Sequence, residues 1–244
     1  RMNLVIDIGN TKAKLAVFHK SELVIKKVVL KEELIKHVKI LFVEFSKIKG
    51  LILSSVNHFS SETLQELKLK CTLLIVDSDI KIPFKNDYLS PKTLGSDRVA
   101  LISASINRFS NKNVLIIDAG TCITFDFITN SNSYLGGAIS PGIEMRYKAL
   151  HQNTANLPLL EVKRPQCLIG NSTNNSIHSG VVNGVLKEIE GVIGEYEKKY
   201  NDLKVVLTGG DGNFLSKQLK SSIFANSNFL LEGLNNLLEF NKNE

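Results

Sequence analysis

Two short stretches hold residues that could do chemistry. "VIDIGNT" (Val5–Thr11) and "IIDAGT" (Ile116–Thr121) each lead an apolar run into an aspartate, then a glycine and a threonine, and an alternating strand pattern follows both. A single aspartate beside a tight turn can simply cap its own backbone. Two of them, at matched places a domain length apart, point to a shared task. A carboxylate at a strand tip is rigidly mounted. The neighbouring glycine lets a ligand approach the backbone, and turn N–H groups can receive phosphate oxygens. Asp7 and Asp118 are suited to hydrated Mg²⁺ bridging phosphates, and Thr11 and Thr121 add hydroxyls. The chemistry implied is phosphoryl handling by positioning and charge neutralisation. Lys12 and Lys14 share one face of the strand that follows, either assisting a phosphate or sitting in solvent. A third element, "VVLTGGDG" (Val205–Gly212), ends a buried strand in Thr208, Gly209 and Gly210. It is either a close approach for a flat ring or sugar, or an ordinary strand-to-helix turn. There is no GxxxxGK[ST] and no GxGxxG after a strand, which excludes the P-loop and the Rossmann fingerprint.

The elements that must position these residues occur twice. Asn3–Ile8, Ala13–His19 and Glu22–Val29 read as strands, Lys31–Ile48 as a long amphipathic helix, and Gly50–Ser54 as a buried strand. Ser60–Lys70 reads as a helix capped by Ser60, Leu73–Asp77 as a strand, Ile80–Lys92 as loop and Ser96–Phe109 as a helix. The pattern then restarts with strands at Val114–Asp118, Cys122–Thr129 and Tyr134–Gly136. Pro141 and Gly142 open a helix, Asn153–Gly170 is irregular, and Ser172–Tyr200 reads as one long helix. A strand at Leu203–Thr208 and helices near Asn213–Lys220 and Leu230–Phe240 finish the chain. The expectation is an α/β fold of two similar lobes, residues 1–112 and 113–244, with the active site in a cleft between them. The long helix carries Gly180, Gly184 and Gly191. The first two lie on one face, which predicts close helix packing within the lobe or across a dimer.

Composition narrows the class. The 244 residues are 43% hydrophobic and 22% charged, enough for a real core. No apolar run is long enough to span a bilayer, and no charged-then-apolar leader opens the sequence. The three cysteines show no zinc spacing, which predicts reduced thiols in a cytoplasmic protein. The net charge of +6 favours anionic ligands. The lysines are scattered and there is no tryptophan, so nucleic acid and membrane are not expected as partners.

Taken in order, the motifs resemble those of the type III pantothenate kinases, a family within the sugar kinase, heat-shock chaperone and actin superfamily. "DIGNTKAK" (Asp7–Lys14) is similar to that family's first phosphate motif, and "DAGTCITFD" (Asp118–Asp126) to its second. "YLSPKTLGSDR" (Tyr88–Arg98) is similar to its Gly-x-Asp-Arg motif with the preceding tyrosine. "YLGGAISPG" (Tyr134–Gly142), "TANLP" (Thr154–Pro158), "GNSTNNSIHSG" (Gly170–Gly180) and "TGG" (Thr208–Gly210) follow, and "LLEGL" (Leu230–Leu234) extends the likeness almost to the chain end.

The resemblance implies two ribonuclease H-like lobes and ATP-dependent phosphorylation of pantothenate, the first step of coenzyme A biosynthesis. It implies Asp97 as the general base. Tyr88, Gly95, Ser96, Asp97, Arg98 and Thr173 would surround the substrate, with Thr173 reaching the partner's site in a homodimer. Asp7, Gly9, Asn10, Thr11, Lys12, Lys14, Gly120, Thr121 and Gly209 would bind ATP and its phosphates. Asp7 would organise Mg²⁺ through water, and Asp118 would hold K⁺ or NH₄⁺. From the residues alone, Ser96 and Asp97 could equally favour a helix N-terminus, Arg98 could form a surface ion pair, and Thr173 could cap its helix. A kinase for another small alcohol, or a non-catalytic nucleotide-binding regulator, are the competing functions.

Overall fold

The computed structural model describes residues 1–242. They form two compact units, residues 1–108 with the C-terminal segment from Asn228, and Phe109–Ser227.

The first unit opens with an antiparallel meander, β1 (Met2–Ile8), β2 (Lys12–His19) and β3 (Glu22–Leu30). A 3₁₀ turn (Lys31–Glu33) leads into α1 (Leu34–Glu44), then β4 (Ile48–Leu53), α2 (Ser61–Lys70) and β5 (Thr72–Ile75). The sheet order is β3-β2-β1-β4-β5, with β4 parallel to β1 and β5 parallel to β4. Leu4, Ile6, Leu15, Val17, Leu51 and Leu53 form one face of the core with Leu34, Val38 and Leu41 of α1. The helix expected over Lys31–Ile48 ends at Glu44, because Ile48 is taken into the parallel ladder opposite Met2. Ser60 caps α2 as expected, its side chain accepting the Thr63 N–H at 3.2 Å. A two-residue extended segment, β6 (Lys85–Asn86), precedes α3 (Ser96–Arg108).

The second unit repeats the pattern. Its meander is β7 (Val114–Ala119), β8 (Cys122–Ile128) and β9 (Ser133–Pro141). Then come α4 (Ile143–Gln152), α5 (Thr173–His178), α6 (Gly184–Lys199), β10 (Lys204–Thr208), α7 (Gly212–Ser216) and β11 (Phe224–Ala225). Its own strands run β11-β10-β7-β8-β9, with β10 parallel to β7 and β11 parallel to β10. This is the order of the first unit over again.

The helix expected over Ser172–Tyr200 is broken by a π turn at Ser179–Asn183. The apolar seam explains it. Ile177, Val181, Val185, Ile189 and Ile193 follow one another at intervals of four and all lie in the core. In an unbroken α-helix of 3.6 residues per turn each such step drifts by about 40°, and a single wide turn takes back part of that drift.

The last helix, α8 (Phe229–Phe240), packs against α3 and β1 of the first unit. The sequence places this helix in the second lobe, residues 113–244, whereas it belongs to the first compact unit. Asn235 fixes the docking, accepting from Asn3 Nδ2 at 2.7 Å and donating to the Lys20 carbonyl at 2.8 Å. Local periodicity identifies such a helix but cannot say which core its apolar face will cover.

Candidate active site

Asp7 and Asp118 occupy equivalent places. Each is the penultimate residue of the first strand of its meander. Across the hairpin, Asp7 faces Lys14 and Asp118 faces Thr124. The first turn is closed by the Gly9 N–H donating to the Lys12 carbonyl at 3.0 Å, the second by Gly120 N–H to the Cys122 carbonyl at 2.9 Å. Both glycine N–H groups are therefore spent within their turns. The exposed residues Asn10, Thr11 and Thr121 form the tips.

In the first unit, Asp7 is half-buried, and burial raises its pKa above the ordinary aspartate value. Lys14 and a hydrogen bond with Ser54 oppose the rise, and the nearby carboxylate of Asp97 adds to it. Asp7, Lys14 and Asp97 thus belong to one electrostatic neighbourhood. Lys26 joins its edge, its pKa lowered by burial and by Lys14. Ser54 was missed by the sequence reading. It follows the last residue of β4, and its hydroxyl accepts the Ile8 N–H at 2.9 Å. The only signal for it was its place after a buried strand parallel to β1.

Asp97 is exposed in the first turn of α3, with Oδ1 accepting the Arg98 N–H at 2.8 Å. A side chain at Gly95 would collide with that same oxygen, so the glycine makes room for the carboxylate. Arg98 is not on the surface. It is 6% exposed, with its guanidinium carbon 5.6 Å from the centre of the half-buried Tyr88 ring. Lys12 is exposed on β2.

In the second unit, the Thr-Gly-Gly element meets the hairpin directly. The Asp211 N–H donates to the Ala119 carbonyl at 3.0 Å. Gly209 has φ of +93°, and any β-carbon there would strike the Asp118 carboxylate and the Ala119 carbonyl. Gly210 has open space around it. Gly209→Ala is therefore expected to destabilise the second unit by about 1–3 kcal/mol and to displace Asp118. Urea melts together with ATP affinity would check it, and Gly210→Ala should be close to neutral in both. The N-terminus of α4 abuts the same turn, with the Gly142 N–H donating to the Thr121 carbonyl at 3.1 Å. Helix N-termini favour anions. Asp211 was not foreseen as part of this cluster. Its pKa is raised by burial and by Glu144.

Thr173 belongs to another surface. The cap of α5 is Ser172, which accepts the Asn175 N–H at 3.2 Å, so Thr173 is not needed as the cap. It is exposed and lines a largely apolar groove of about 910 Å³ with Leu150, Leu157, Ile177 and Gly180. None of the hairpin residues lines this groove. Side chains added at Gly180, Gly184 or Gly191 would meet nothing, so these glycines are not explained by packing within the chain.

Among the described residues no cluster of three acidic, histidine or cysteine side chains could hold a metal ion by itself. The donor set fits Mg²⁺ bound by one carboxylate plus substrate phosphates, the usual habit of that ion. It also fits a weakly held monovalent cation at Asp118, where the neighbouring Thr124 hydroxyl is buried with no hydrogen-bond partner.

A family model described as type III pantothenate kinase matches residues 3–195. Proteins named type III pantothenate kinase are similar to the chain along its length. That of Christiangramia forsetii is 53% identical over 243 residues, covering 100% of both chains. That of Flavobacterium psychrophilum is 45% identical over 241 residues, covering 99% of this chain and 100% of its own. Among solved structures, a Campylobacter jejuni protein described as a candidate Baf family transcriptional activator matches with TM-score 0.65 at 23% identity, over 99% of this chain and 100% of that one. At that identity it shares the fold alone.

Proposed function

The chain belongs to the type III pantothenate kinase family, and from that premise we propose how its residues move the γ-phosphoryl group of ATP to the primary hydroxyl of pantothenate. Asp97 accepts the hydroxyl proton as the oxygen bonds to the γ-phosphorus. The bond from that phosphorus to the β–γ bridging oxygen breaks, and ADP leaves with the electron pair. The observation supporting this is an exposed Asp97 whose charge is felt by Asp7 of the phosphate hairpin. Arg98 presents its planar fork to pantothenate's carboxylate, braced by the ring of Tyr88. Gly95 and Ser96 shape the backbone around that substrate.

Asn10, Thr11 and Thr121 at the hairpin tips receive phosphate oxygens while Gly9 and Gly120 close the turns and leave room for them, Lys12 and Lys14 add positive charge, and Gly209 lets the nucleotide approach the backbone. Asp7 would hold Mg²⁺, and Asp118 would hold K⁺ or NH₄⁺. When bound, these ions would supply neutralisation of negative charge on the transferring group. Thr173 contacts pantothenate in the partner's site of a homodimer. Its open apolar groove and the unpacked glycine face of the adjoining helix support that assignment. No helix among the described residues is long and apolar enough to cross a membrane.

The test is ADP release from ATP with pantothenate, glucose or no acceptor, in K⁺ and then in Na⁺ buffer. Release that requires both pantothenate and K⁺ is expected. Equal release with glucose would point to another small-alcohol kinase, and nucleotide binding without release to a regulator.

A further inference from the structure

The two hairpins repeat one another in backbone but differ at one telling position. Opposite Asp7 stands Lys14, whose charge acts on that carboxylate. Opposite Asp118 stands Thr124. Directly paired residues of an antiparallel ladder share a face, with β-carbons roughly 4.5–5.5 Å apart. The first carboxylate thus has a tethered ammonium beside it, and the second has a neutral hydroxyl at the same place.

That hydroxyl is unusual. Thr124 Oγ1 is buried and makes no hydrogen bond. A buried hydroxyl left unmatched costs stability, whereas a methyl in its place costs nothing. Valine would fill the space equally well and suit a strand better. On the other side of Asp118, Thr208 of β10 is its register partner, and Gly209 packs against its carboxylate. The carboxylate is therefore confined between two strands, with the Thr124 hydroxyl as its neighbour on β8.

We propose that Thr124 is a positioning residue for the monovalent cation held by Asp118. Its hydroxyl donates to the Asp118 carboxylate when the ion is bound, fixing the oxygen that faces the ion. The inference rests on the reading of Asp118 as cation ligand. Donors behind a ligating carboxylate commonly change ion affinity by about 10–100-fold when removed.

Thermal melting of the full chain tests this, with MgATP present, pantothenate absent, and K⁺ replacing Na⁺ at constant ionic strength. Wild type is expected to gain stability with K⁺, and Asp118→Asn to show no gain. Thr124→Val should melt no lower than wild type in Na⁺, since it loses only an unmatched hydroxyl. Its half-maximal K⁺ concentration should rise about 10–100-fold. Thr124→Ser should behave like wild type. A Thr124→Val protein with an unchanged K⁺ response would overturn the inference and leave Asp118 intact as ligand. A Thr124→Val protein that melts well below wild type in Na⁺ would also overturn it, marking the hydroxyl as structural. A wild type indifferent to K⁺ would overturn the reading of Asp118 itself.

Discussion

Replacing Asp97 by Asn should lower kcat by about 10²–10⁴-fold, the usual worth of a positioned base, while leaving the fold and KM for pantothenate nearly unchanged. The asparagine side-chain oxygen can still accept the Arg98 N–H that Asp97 Oδ1 accepts now, so the helix start is kept. The position is exposed, and surface changes of this kind usually stay within about 0.5 kcal/mol. Steady-state kinetics beside a chemical melt would separate the two effects. A variant with full turnover would remove Asp97 from the chemistry. One that lost turnover through unfolding would make it a helix-capping residue.

Asp7→Asn is expected to cost about 10²–10³-fold in kcat, the typical loss of one preorganised electrostatic contact, and yet to stabilise the ligand-free protein. The sign follows from burial. Asp7 has a folded pKa above its unfolded value of 3.8, so the native state holds this proton more tightly than the unfolded chain does. Between the unfolded and folded pKa values, stability falls as pH rises, and above the folded pKa the full cost of an ionised, half-buried carboxylate is present. Asparagine removes that cost. In metal-free buffer at neutral pH the variant should melt at or above wild type, and the advantage should vanish at a pH below the unfolded value. A melt below wild type at neutral pH would mean that Lys14 and Ser54 more than offset the burial.

The hairpins were legible because their requirements are local. An apolar strand, an aspartate, a glycine and a threonine sit within one turn, and the repeat made Asp7 and Asp118 conspicuous. The helix read over Ser96–Phe109 was equally plain, and it runs over Ser96–Arg108. The residues that escaped notice act across strands or loops. Ser54 reaches Asp7 only because β4 pairs in parallel with β1, and Thr124 acquires meaning only in register with Asp118. Asp211 stands within the glycine-rich loop of the sequence, but its nearness to Glu144 depends on how α4 packs. The π turn at Ser179–Asn183 was hidden because apolar residues spaced by four, from Ile177 to Ile193, are also what an ordinary long helix shows. The docking of Phe229–Phe240 on the first unit is set by Asn3 and Asn235, which lie at opposite ends of the chain.

The claim on which the account turns is that both aspartate hairpins serve one triphosphate. Calorimetric titration of a non-hydrolysable ATP analogue, with Mg²⁺ and K⁺, into wild type, Asp7→Asn, Asp118→Asn and the double variant measures it most directly. The account predicts one nucleotide per chain, weaker binding in each single variant, and a double variant whose loss departs from the sum of the two. Undiminished binding in either single variant, or losses that simply add, would contradict it.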